Sequence, residues 1–260
     1  MQKMMDFTQM ETPVDVYKDA KDRNRIYHFP GFNFTLRALW TKYLVYGEER
    51  VENGSLTGII DIQLEKMDEI WAKDLPSLDY VIVSTGQWFF RPIYVHEGSK
   101  VVGCVLCNDS NLPYHGVTLA HQMALRAALR YINKCERCGG MLAVVRTITP
   151  AHYEGGDWNS GGRCERTRPW SGDGSKVGGH YWEMRNAEIE EVERVAKVRN
   201  SGVVYDVLDV TGAMMMRPDG HPGTFWREKK KGYRDCVHWC LPGPVDLLND
   251  LLFSVLAKHV

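Results

Sequence analysis

Three short apolar runs, separated by two helical ones, limit the folds open to this chain. Residues 79–84 (Asp-Tyr-Val-Ile-Val-Ser), 141–145 and 203–211 are rich in Val, Ile and Leu, as strands inside an α/β sheet are. Between the first two, Val117, Leu119, Ala120, Met123, Ala124, Ala127, Ala128 and Tyr131 recur at helical spacing and predict a helix over 116–133. Between the second and third, Ile189, Val192, Val195 and Ala196 form the apolar face of a charged helix over 186–200. Strands alternating with helices read as an α/β domain. A length of 260 residues accommodates one sizeable core, read here as a single domain over 1–260.

The remaining segments are less regular. Short strands are predicted at 26–29 and 59–64, a helix at 68–73 and an amphipathic helix at 247–256. The aromatic-rich stretch 32–46 is expected to be buried, and 50–58 to be a polar turn region. On the helix over 116–133, Arg126 and Arg130 read as a solvated edge. Residues 153–179 are glycine-rich and polar, a loop long enough to be functional. Loops after strands of a parallel sheet commonly hold ligands, so Trp88 and Arg91, just past the first strand, are expected to line a substrate cleft.

Close to the C-terminus, Asp235-Cys236-Val237-His238-Trp239-Cys240-Leu241-Pro242-Gly243 sets an acid three residues before a histidine. On one helical turn or a tight loop the two side chains meet. An imidazole beside a carboxylate is the base-and-orienter half of an acyl-transfer triad, with His238 as base and Asp235 as its orienter.

Composition narrows the partners. Thirty-two basic and 33 acidic residues give a net charge of −1, which argues against a nucleic-acid partner. Eight Trp and twelve Tyr offer flat apolar faces for core packing or for sugars. Cys104 and Cys107, then Cys135 and Cys138, have the spacing of either a four-thiolate zinc site or disulfides. Sequons at Asn33, Asn53 and Asn108 mark candidate glycosylation sites and favour disulfides in an oxidising compartment, so no metal is expected. Cys164, Cys236 and Cys240 are the other disulfide candidates, and the odd total of seven leaves one thiol over. Residues 1–10 have no long apolar run and are expected to be neither signal peptide nor membrane anchor.

The nine residues from Asp235 resemble the C-terminal Asp-x-x-His block of the plant trichome birefringence-like proteins, the PC-esterase-type polysaccharide O-acetyltransferases of the Golgi. Trp158-Asn159-Ser160-Gly161-Gly162-Arg163-Cys164 resembles that family's Trp-Asn-x-Gly-Gly-x-Cys block, and Arg217-Pro218-Asp219-Gly220-His221-Pro222 its Arg-x-Asp-x-His-Pro stretch. The likeness runs from about residue 11 to the end. Three departures stand out: Gln87 replaces a His, Leu248 replaces a Trp, and no Gly-Asp-Ser block occurs in these residues.

The resemblance implies a three-layer Rossmann-like, SGNH-hydrolase-like core, N-terminally truncated, with residues 1–10 the remnant of the helix behind the Gly-Asp-Ser turn. It implies transfer of an acetyl group to a sugar hydroxyl of a plant cell-wall polysaccharide, xylan or another hemicellulose. The donor would be acetyl-CoA or an acetylated intermediate, with no cofactor, in the Golgi lumen or at its membrane through an anchor absent from these residues. Asn159, Gly161 and Gly162 would contribute oxyanion or cleft contacts together with Trp158, Asp219, His221 and Trp239, and Cys164 would be tied to Cys236 or Cys240. Because the nucleophile serine is missing, the alternative expectation is a non-catalytic glycan-binding or scaffold pseudoenzyme. Ser84 is the one substitute serine considered, and its surroundings do not resemble a nucleophile elbow. Loss of the first strand would also leave a sheet edge open.

Overall fold

The computed structural model describes residues 11–113, 116–171, 178–198, 202–223 and 234–259; the methionine-rich start and the basic run Lys229–Lys231 lie outside them. Among the described residues ten strands form three sheets. β1 (Val14–Lys18), β2 (Arg25–Phe29) and β3 (Phe34–Ala38) make an antiparallel meander. β4 (Val45–Glu52) and β5 (Ser55–Met67) form a hairpin, followed by α1 (Glu69–Ala72), whose N-cap Asp68 accepts from the Ile70 N–H at 3.0 Å. After β6 (Tyr80–Ser84), β7 (Ile93–Glu97) and β8 (Lys100–Val105) join that hairpin in a mixed sheet of order β4-β5-β7-β8. The 50–58 region is therefore mostly strand, turning at Asn53 and Gly54, both at positive φ.

Then α2 (Gly116–Asn133), β9 (Leu142–Arg146), α3 (Gly179–Ala196) and β10 (Val204–Leu208) build the parallel core, and α4 (Thr211–Met215) and α5 (Pro244–Leu256) follow. The core sheet has order β10-β9-β6, in register from Val204, Leu142 and Tyr80 to Leu208, Arg146 and Ser84. Alternation along β9 divides its side chains between two faces. Ala143 and Val145 join Val83 and the buried sides of α2 and α3, whereas Leu142 and Val144 join Leu208 and Leu252 and Val255 of α5. Helices thus cover both faces of the sheet in three layers, as expected.

Four local expectations are corrected. The buried stripe of α2 is Ala120, His121, Ala124, Leu125, Ala128, Leu129 and Ile132, about one position round from the expected one, and Leu119 and Tyr131 are exposed. Arg126 is no solvated edge: its Nη2 lies 2.7 Å from Glu191 of α3, whose carboxylate is 1% exposed. α3 begins seven residues before Asn186, so Tyr181 and Met184 supply buried contacts outside the expected face. Phe32 and Phe34 are exposed rather than buried.

β6 is an edge of the core sheet among the described residues. Its outward residues Tyr80 and Ile82 are 50% and 39% exposed. Alongside them runs a cavity of about 790 Å³ between β3 and α5, lined by Phe34, Leu36, Leu252 and Leu256 among others. No helix among the described residues is long and apolar enough to cross a membrane.

Candidate active site

Asp235 and His238 come together on the loop before α5. Asp235 is 1% exposed. Its Oδ1 accepts the backbone N–H groups of His238 at 2.9 Å and Val237 at 3.2 Å, and its Oδ2 lies 2.9 Å from His238 Nδ1. The spacing of three thus works through a tight turn in which one carboxylate orders both backbone and ring. Burial pushes the Asp235 carboxyl up, but the hydrogen bonds from the His238 ring and the two N–H groups outweigh it and hold the group below its ordinary value. The same bond raises His238, against a smaller effect of burial. The carboxylate therefore fixes the Nδ1–H tautomer of a ring that stands 69% exposed.

Long-range contacts hold this turn. Gly223 and Asp235 form an antiparallel bridge, Cys236 O accepts from His152 N at 3.1 Å, and Cys240 N donates to Gly220 O at 2.9 Å. Gly220 must be glycine, because a Cβ there would sit 2.4 Å from Pro244. Asp219 accepts from Arg217 Nε at 2.9 Å, which braces the same turn. Behind the turn, His221 Nδ1 meets His238 O at 2.7 Å, His221 Nε2 meets His152 Nδ1 at 2.8 Å, and Trp239 stacks on His221 at 4.1 Å. His221, Trp239 and Asp219 thus stand behind and beside the dyad. His152, which sequence reasoning did not single out, lies six residues past the end of β9, and that position was its only signal.

Cys164 is bonded to Cys236, which ties the Trp-Asn-Ser-Gly-Gly loop to the dyad across 72 residues. The tip of that loop, closed by a bridge between Glu154 and Arg163, presents Trp158 at 60% exposure, and Asn159 is also exposed. The Gly162 N–H donates to Asp157 O at 2.9 Å, and Gly161 takes a positive φ of 85°. Cys104–Cys107 and Cys135–Cys138 pair within their own motifs, and no metal-ligating cluster is found among the described residues. Cys240, a disulfide candidate, forms none; its thiol is pushed up by burial.

Trp88 and Arg91 lie in a cation–aromatic cluster: the Arg91 guanidinium is 4.7 Å and the Lys42 ammonium 5.0 Å from the Trp88 ring, and Trp40 meets its edge at 5.6 Å. Gln87 Nε2 donates to Thr149 O at 2.6 Å, joining the loops after β6 and β9. Ser84 Oγ accepts from Arg146 Nε at 2.9 Å. Asn33, Asn53 and Asn108 are all exposed.

Comparison with known proteins places the chain's sequence in an acyl-esterase family. Residues 4–255 fit the model of PC-esterase, described as a GDSL/SGNH-like acyl-esterase family found in Pmr5 and Cas1p. Xyloglucan O-acetyltransferase 4 of Populus trichocarpa is 55% identical over 252 residues, covering 96% of this chain and 60% of that protein. Xyloglucan O-acetyltransferase 2 of Arabidopsis thaliana is 45% identical over 95% of this chain and 61% of its own length, and protein trichome birefringence-like 20 of the same plant is 38% identical over 88% and 49%. The chain therefore spans roughly half to three-fifths of the length of these curated relatives. With a carboxylate-oriented histidine beside a three-layer α/β core, and with a family model matching nearly end to end, this chain belongs to the PC-esterase family.

Proposed function

We propose that the chain supplies the general base and its orienting acid to a polysaccharide O-acetyltransferase whose acceptor is a hydroxyl of xyloglucan or a related hemicellulose. The observation that carries this is the Asp235–His238 contact at 2.9 Å, in a chain 55% identical to a protein named as a xyloglucan O-acetyltransferase. Those relatives are named for xyloglucan, so xyloglucan takes the place of xylan as the preferred acceptor.

In the first half-reaction His238 Nε2 takes the proton of a serine hydroxyl as the serine oxygen attacks the acetyl carbonyl, and returns it to the departing donor group. In the second, the sugar hydroxyl gives its proton to the same nitrogen as its oxygen attacks the acetyl-serine, and the proton goes back to the serine. Asp235 stabilises the imidazolium at both stages. The serine comes from a strand laid parallel to β6, which is an edge strand among the described residues and whose C-terminal end lies on the side of the sheet from which the dyad loop approaches. Trp158, exposed on the loop tethered by Cys164–Cys236, offers a sugar-stacking face. Three disulfides and exposed sequons fit an oxidising compartment such as the Golgi lumen.

The test is acetyl transfer to a xyloglucan oligosaccharide, followed by mass spectrometry. It uses the chain alone and the chain joined to the N-terminal part of its 55% identical relative, each with His238 and with His238→Ala. Transfer that is lost in His238→Ala supports the proposal; equal transfer by both overturns it. Oligosaccharide binding with no transfer from either fusion would favour a glycan-binding pseudoenzyme instead.

A further inference from the structure

Behind the dyad the proton count does not close with neutral rings. His152 Nε2 lies 3.1 Å from Met215 O and His221 Nδ1 lies 2.7 Å from His238 O. A carbonyl oxygen only accepts, so each of these nitrogens carries a hydrogen. A neutral imidazole has one N–H, and both rings have committed theirs outward. The facing nitrogens, His152 Nδ1 and His221 Nε2, are nevertheless 2.8 Å apart, a hydrogen-bond distance between two lone pairs. Flipping either ring would replace both of its contacts with C–H groups, so the orientation is tied down at two points. A third proton, between the rings, satisfies all three contacts.

We propose that His152 and His221 share one proton and act as a single positively charged positioning unit behind His238. The inference rests on reading Asp235 and His238 as the catalytic pair. Its chemistry is local: one N–H···N bond in the middle, one N–H···O bond at each end, one net charge.

The surroundings fit a cation. Trp239 lies 4.1 Å from His221 at a tilt of 36° and meets His152 edge-on at 5.7 Å, which presents an indole face to the charge. Asp219 and Glu154 face His152, and Asp235 faces His221; Arg166 and His238 oppose them. Arg217, on the same turn as His221, is paired with Asp219. Burial pushes each ring down, His221 to about 4. The central bond exists only with the proton present, however, and loss of that proton would set two lone pairs against each other. The proton therefore belongs to the pair, and the two rings titrate as one coupled unit.

Two consequences reach the dyad. The proton keeps His221 pressed on the His238 carbonyl, which holds the turn that aligns Asp235. The charge also disfavours a second proton on nearby His238, opposing the upward pull of Asp235 and keeping more of the ring available as base at a given pH.

Histidine-selective ¹⁵N NMR of the intact chain tests this without any activity. At pH 5.5 we expect three protons on the four ring nitrogens of His152 and His221, lost to two in one coupled step as pH rises. In His221→Gln, which keeps an amide donor for the His238 carbonyl but no charge, the pKa of His238 should rise by a few tenths of a unit or more, with unchanged circular dichroism. Two neutral rings from pH 5 to 8, or a His238 pKa unmoved in the variant, would overturn the proposal. Either result leaves the transfer assay to judge the catalytic reading separately.

Discussion

At the scale of single residues, the dyad makes its own pH window. Asp235 is depressed, so its contribution to stability is present above about pH 3.8 and fades as pH falls through its folded value. His238 is raised, so its contribution is present below about pH 6.5 and fades as pH rises through its folded value. The pair therefore supports the fold best between those limits, and Asp235→Asn should flatten the dependence of the unfolding midpoint on pH at both ends. The same substitution leaves the turn but reverses the ring's hydrogen-bonding demand, and transfer should fall by about four orders of magnitude in a single-turnover assay. The acid and base themselves were legible, because three residues of spacing suffice to bring them together. The partners behind them were not: His152 is 69 residues from His221, and no local pattern connects the two.

At the scale of elements, α3 carries a buried acid to the loop after the central strand β9. Glu188 is 1% exposed and its Oε2 accepts from Ile148 N at 2.8 Å, at the start of the loop that carries His152. Burial pushes this carboxyl up to about 8, opposed by that N–H. A raised folded value means stability that is full below about pH 4.5 and lost as pH climbs to about 8. Glu188→Gln keeps an acceptor and removes the ionisation, so thermal midpoints of the variant should stay level over that interval while the parent's decline. The sequence reading put only apolar residues on the inner face of α3, since charged residues on a helix are assumed to face water until a partner is known. The Cys164–Cys236 link is a second element-scale device, because it joins two loops that share no secondary structure. Replacing both cysteines with serine should cost about 3–4 kcal/mol by denaturant unfolding. It should also expose the Trp158 loop to limited proteolysis, with Asp235–His238 chemistry weakened rather than abolished.

At the scale of the whole molecule, the parallel sheet of the described residues ends on a strand whose edge faces an apolar cavity of about 790 Å³. Such an edge is a template for further pairing. The chain alone should self-associate at micromolar concentration by light scattering, and Ile82→Lys should suppress that with little change in thermal midpoint. Joined to a segment that pairs with β6, the same lysine should instead destabilise the fold. Apolar runs of five or six residues, together with helical spacing between them, determined from sequence alone that this would be an α/β core with an acid–base pair after its last strand. Period and spacing are local, and local signals survive in a bare string of residues. Which strand became the edge, which face of α2 turned inward, which cysteine was left without a disulfide, and which two histidines came to lie under the base were decided only in the tertiary structure. Each of these depends on contacts between segments far apart in the chain, whose pairing is set by the shape of the assembled core and not by any neighbouring residue.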